Sequence, residues 1–219
     1  MYKILFIDEQ KDDIEQFKDY VDAASTPGSV EVVAEYPLES LDEMIEEIFK
    51  IGADAVITDF ILNDYKEDIK YNVPYNGVQL VKELTAIRDG FPCFVMTSFD
   101  DRAITESDDV NIVYIKDILH SQGKETAAKA SFLERVENQI KHYKSKIEEA
   151  ESEILRLVEL RNAGTATMDD ESEIIRLDHF LEVSTDRKNS IPDEYKTLSN
   201  SRRLEELLTK VDTLLGKIE

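Results

Sequence analysis

The strongest constraint in the sequence is an alternation. Short apolar runs, KILFI, VEVVAEY, DAVIT, CFVMT and NIVYI, are separated by stretches whose apolar residues recur at three and four. Three of the runs are almost uninterrupted, the pattern of parallel strands covered on both faces. Helical spacing appears at Ile14, Phe17, Val21 and Ala24, at Leu41, Ile45 and Ile48, and at Val81, Leu84 and Ile87. Pro27-Gly28, Gly52, Pro74 to Gly77 and Gly90 punctuate the joins. Strand then helix, five times over, predicts a parallel sheet with helices on both faces, the fifth helix starting near Glu125.

Beyond Leu133 the strand pattern is gone. Val136, Ile140, Tyr143, Ile147, Ala150, Ile154 and Leu157 follow at alternating steps of three and four, a heptad seam. One helix from about residue 125 to 162 would be roughly 55 Å long, against a domain about 30 Å across, so it is expected to project beyond the sheet. Gly164 ends it. Asp169 to Glu171 open a second helix, about 170–186, with Ile174, Leu177 and Leu181 on one side. A third, about 198–218, carries Leu204, Leu207, Val211, Leu214 and Ile218. The expected division is a sheet domain over 1–124 and a helical region over 125–219. The seam either packs within one chain or pairs two copies, and a homodimer is the expectation. On that expectation, Lys at Ile140 and Ile147 lowers the oligomeric mass and leaves the sheet domain folded.

Charge narrows the function. The chain carries 26 Lys and Arg against 48 Asp and Glu, a net charge of -22. Residues 1–117 alone hold 10 basic and 27 acidic residues. Such a surface repels phosphate backbones and anionic lipid, so neither nucleic acid nor membrane is an expected partner. Arg202-Arg203 is one basic pair among many acids, with no recognition-helix pattern around it. Cys93 is the single cysteine, which excludes an internal disulfide and fits a reducing compartment. MYKILFIDEQ lacks the basic and apolar blocks of a signal peptide, and no run is long enough to span a bilayer. A cytoplasmic protein is expected. There is no phosphate-binding G-x-x-x-x-G-K-[ST], and His120, His142 and His179 have no metal-ligand spacing.

In an open parallel sheet, chemistry gathers beyond the carboxyl ends of the strands. Strand one ends in Asp8-Glu9, strand three in Asp59, strand four in Thr97-Ser98 and strand five in Lys116. Singly, each is an ordinary cap or a solvated charge. Together they are a coherent set. Crowded carboxylates suit Mg²⁺, which accepts oxygen ligands and keeps room for water and phosphoryl oxygens. A carboxylate can attack phosphorus, and a hydroxyl and an ammonium can hold the phosphoryl oxygens.

ILFIDEQ, VITDF, PCFVMTS and VYIK, in that order and at those strand ends, resemble the receiver domains of two-component response regulators over about residues 1–124. The resemblance implies a doubly wound, flavodoxin-like α/β sheet of five parallel strands in the order 2-1-3-4-5. It implies that Asp59 accepts phosphate from a histidine kinase or phosphotransfer protein. Asp8, Glu9, Asp59 and the Ile61 backbone carbonyl would bind Mg²⁺, Thr97 would approach the phosphoryl group, and Lys116 would pair with it. The helical region would then signal by self-association or by binding a protein target. No enzyme activity is implied beyond self-phosphorylation and autodephosphorylation.

Several positions depart from the family. Glu9 stands where a second Asp is usual. No proline follows Asp59 closely, and the expected glycine, Gly77, comes 18 residues after it. The loop over 60–76 is therefore longer than usual and carries Tyr65, Tyr71 and Tyr75, as a lid, a docking surface or a solvated insertion. Asp117 replaces the proline after the lysine, so a trans bond is expected there. The switch aromatic is replaced by Val113, with Tyr114 one place on. Two other readings compete. A receiver-like scaffold would have an output independent of phosphate. A phosphatase of the haloacid dehalogenase type shares an Asp, a Thr or Ser and a Lys at strand ends, but Asp8-Glu9-Gln10 lacks its D-x-D.

Overall fold

A computed structural model describes residues 1–63, 69–98, 101–120, 131–191 and 196. The strands are β1 (Tyr2–Ile7), β2 (Val30–Glu35), β3 (Ala55–Asp59), β4 (Cys93–Thr97) and β5 (Val113–Ile115). They form one sheet in the order β2-β1-β3-β4-β5, every pair parallel. This is the flavodoxin-like, doubly wound order, with its switch point between β1 and β3. The helices are α1 (Lys11–Ala24), α2 (Leu41–Ile51), α3 (Gly77–Ile87), α4 (Asp101–Glu106), α5 (Phe132–Asn162) and α6 (Met168–Asp186).

Side-chain alternation along the strands builds two cores. Leu5, Ile7, Val56 and Val95 face α2 and α3, where they meet Met44, Ile48, Leu80 and Leu84. Ile4, Phe6, Ile57, Phe94 and Met96 face α1 and α5, where they meet Phe17, Phe132, Val136 and Ile140. Local signals start the helices. The Ser40 side chain accepts from the Glu43 N–H at 3.2 Å, and Asn76 and Gln79 cap α3 reciprocally. All described peptide bonds are trans, including the one before Asp117. No helix among the described residues is long and apolar enough to cross a membrane.

Packing divides the chain into two compact units, Met1–Ser145 and Lys146–Glu219. The boundary that the sequence suggests, after residue 124, lies within residues 121–130, outside those described; the division by packing falls inside α5. The reason lies in what the heptad seam touches. Val136 and Ile140 are fully buried against the sheet, and Tyr143 meets Phe91 edge-on at 5.7 Å. Lys144 pairs with Asp54 at 2.6 Å, and the other oxygen of Asp54 accepts from the Lys3 N–H at 2.8 Å. The later seam residues serve the second unit. Ala150 and Leu157, with Ile154 beside them, pack on Ile174 and Leu177 of α6. Thr167 caps α6 reciprocally with Asp170. The expected third helix, about 198–218, lies outside the described residues.

The seam is thus shared between two intramolecular cores, and the substitution reasoned from a dimer changes meaning. Ile140 has no exposed surface. Ile140→Lys strands an unpaired ammonium in the core between α5 and the sheet, at a cost of at least about 4 kcal/mol. Urea titration should show the sheet unit losing most of its stability. A variant that keeps its stability and changes only its mass in light scattering would restore the intermolecular seam.

Candidate functional site

Register brings the sequence-derived residues to one rim. Ile7 lies opposite Thr58 in the β1–β3 pair, so the next residues out are Asp8 and Asp59. Asp59 lies opposite Met96 and Thr97 opposite Ile115, which sets Thr97 and Lys116 at the same end. Asp8, Glu9, Asp59 and Thr97 are all buried.

Both aspartates are held by the turn that follows them. Asp8 accepts from the Gln10 N–H at 2.9 Å, and Asp59 accepts from the Ile61 N–H at 2.9 Å. Each leaves its second oxygen to Lys116, whose Nζ lies 2.9 Å from Asp8 Oδ2 and 2.8 Å from Asp59 Oδ1. The ammonium has a third partner in Asp13, from the first turn of α1. The sequence reading missed Asp13, because an acid in a first helical turn has an ordinary explanation in the helix dipole.

Electrostatics follow from this crowding. Burial pushes the Asp59 carboxyl up to about 7; Lys116 opposes that shift and the charge of Asp8 adds to it. Burial also raises Asp8, again against Lys116. Burial disfavours the Lys116 cation, but Asp59 and Asp8 outweigh it and the net shift is upward. The site is an ammonium inside an excess of buried acid.

Among the described residues no group of three or more His, Cys, Asp or Glu side chains is drawn together as a metal cage. Mg²⁺ does not require one, since it binds through one or two carboxylates and fills its shell with water and phosphate oxygens. The donor set fits it. Asp8, Glu9 and Asp59 are hard oxygen donors, each buried, and a divalent cation offsets the burial that lifts Asp59 and the charge of Asp8 that adds to it.

Three features outside the charged cluster shape the rim. Gly77 opens α3 against the back of Asp59. A Cβ there would stand 2.1 Å from the Asp59 carbonyl oxygen and 2.9 Å from Thr58 Cγ2. The Gly77 N–H also donates to the Phe60 carbonyl at 3.0 Å. The described parts of the loop over 60–76 are packed structure and not a solvated insertion. Leu62, Ile69, Val73 and Tyr75 are buried with the α2–α3 core. Tyr71 donates to the Pro37 carbonyl at 2.8 Å and Tyr75 to the Leu38 carbonyl at 2.9 Å. Tyr65 lies outside the described residues. On β5, Val113 packs toward the α2–α3 core. Tyr114 packs on the opposite face, 4.7 Å from the Phe132 ring.

No family model matches the sequence, and no curated protein matches it. Among solved structures, the chain is similar to the anti-anti-sigma factor PhyR from Bartonella quintana, with 14% identity and a TM-score of 0.43 over 68% of this chain. It spans 50% of that protein's length. It is similar to the non-phosphorylated receiver domain of RcsB from Escherichia coli, with 20% identity and a TM-score of 0.41, covering 55% of this chain and 85% of that one. A structure of RcsB dimers bound to two parallel DNAs gives 18% identity and a TM-score of 0.41, covering 93% of this chain and 92% of that one. The fold assignment rests on the strand order and register, and the expectation that this chain binds no nucleic acid rests on its sequence alone, with no support from these comparisons.

Proposed function

We propose that the chain is a phospho-accepting response regulator whose receiver unit is phosphorylated on Asp59. One observation carries the reading: Asp59 ends a buried strand with one oxygen fixed by the Ile61 N–H and the other 2.8 Å from Lys116. In the transfer, a carboxylate oxygen of Asp59 attacks phosphorus. The bond from phosphorus to the donor breaks, and the donor leaves with the electron pair. A histidine kinase or phosphotransfer protein would supply the phosphoryl group from a phosphoimidazole. Lys116 then exchanges its contact with Asp59 for one with a phosphoryl oxygen, and the Thr97 hydroxyl donates to another. Bound Mg²⁺, held by Asp8, Glu9, Asp59 and the Ile61 carbonyl, would supply positive charge to the same oxygens. Autodephosphorylation is the attack of water on phosphorus, returning the carboxylate. The added charge of about -2 is the local trigger. The helices beyond the sheet would carry the output, by binding a protein target or by self-association. A cytoplasmic setting accords with the single buried cysteine, Cys93.

A second reading, a scaffold with an output independent of phosphate, draws on Tyr114. Its ring lies on the face opposite Val113, so the usual coupling of threonine to a switch aromatic has no aromatic at the expected position. One experiment separates the two. The protein is incubated with acetyl phosphate and Mg²⁺, and intact mass is measured in acid beside Asp59→Asn. One phosphate on the wild type and none on the variant is the expected result. No phosphate on folded wild-type protein would favour the scaffold.

A further inference from the structure

Lys116 commits its whole hydrogen-bonding capacity to acids. An ammonium has three N–H donors and no acceptor, and Asp8, Asp59 and Asp13 stand around this one. Asp8 and Asp59 are strand-end residues with roles in the proposed transfer. Asp13 comes from α1, and its side chain keeps 21% exposure against 0% for Asp8. An acid in the first turn of a helix is already favoured by the helix dipole and by water. Here it instead completes the shell of the ammonium that faces the reacting oxygen.

We infer that Asp13 is a positioning residue of the phosphoryl site: it retains one N–H of Lys116 and adds a negative charge that favours cations over anionic donors. The inference rests on the receiver reading of Asp59. Its charge acts with opposite sign on the two ligands the site must take. It strengthens the hold on a divalent cation, and it repels an acyl phosphate while occupying an ammonium proton that the phosphoryl oxygens would use. A residue that only supports the fold has no such opposition, since loosening the rim weakens both ligands together.

The test uses Asp13→Asn, which keeps the shape and removes the charge, and Asp13→Glu, which keeps the charge. Mg²⁺ affinity is measured by calorimetry on the unphosphorylated protein. The acetyl phosphate concentration that half-saturates labelling of Asp59 is measured at saturating Mg²⁺. For Asp13→Asn, Mg²⁺ should bind about fivefold more weakly while half-saturation by acetyl phosphate falls about fivefold, as one removed charge near the site implies. Asp13→Glu should return both constants toward wild type. A labelled wild type whose Asp13→Asn constants both worsen, or both stay put, overturns the role of Asp13 alone. A wild type that takes no phosphate overturns the receiver reading and this inference with it.

Discussion

Gly77→Ala is expected to cripple the proposed phosphorylation of Asp59 without touching a charged group. An ideal Cβ at this position lies 2.1 Å from the Asp59 carbonyl oxygen and 3.0 Å from its carbonyl carbon. Both are backbone atoms, so no side chain can swing aside to make room. The surroundings give little slack. Phe60 donates its N–H to the Met96 carbonyl at 2.8 Å and accepts from the Gly77 N–H at 3.0 Å, which ties the segment after Asp59 to β4 and α3. Relief therefore comes by moving the start of α3 away from the sheet or by moving Asp59. Overpacking of this kind costs about 3 kcal/mol, at the upper end of its usual range. A shift of about 1 Å in the nucleophile costs about 100-fold in rate. The check pairs urea unfolding with intact-mass labelling by acetyl phosphate. A Gly77→Ala protein that matches wild type in both would mean the close approach is not obligatory.

That glycine also separates what sequence can and cannot reveal. The five strands were legible because each is a nearly continuous apolar run between helical periods, and the four rim positions followed from where those runs stop. Asp8, Asp59, Thr97 and Lys116 stand at those ends as register requires. Asp13 was not legible, since its partner Lys116 is 103 residues away and its local setting already had an explanation. The role of the loop over 60–76 stayed open for a related reason. Ile69, Tyr71, Val73 and Tyr75 do alternate, but over a short run broken by Pro74, and the tyrosine hydroxyls that anchor the loop reach carbonyls 34 and 37 residues upstream. Periodicity reports a face and never its partner. The heptad seam was read correctly as apolar, yet its first part packs on the sheet and its later part on α6.

Asp59 should make the metal-free protein more stable as pH falls from about 8 to about 5.5, by about 2 kcal/mol. The sign follows from the direction of the shift. Burial raises the folded-state value of Asp59 from 3.8 to about 7. Between those values the folded state binds more protons than the unfolded chain, so protonation favours folding. The gain begins as pH drops through about 7 and is complete below 3.8. Asp8 shifts in the same direction and adds to the effect. Lys116 contributes no slope here, because its shift is upward from 10.5 and it stays charged throughout the window. Other acids across the surface also respond to pH, so the informative quantity is the difference from Asp59→Asn, measured by urea unfolding with a chelator present. Wild type should gain stability on acidification relative to that variant, and Mg²⁺ should shrink the gap by favouring the ionised carboxylate. The same proton blocks the nucleophile, so labelling without ample Mg²⁺ should fall on the acid side of about pH 7. Parallel stability curves for wild type and Asp59→Asn would mean that Asp59 is already ionised at its ordinary value, and that the acid around Lys116 is better neutralised than its burial implies.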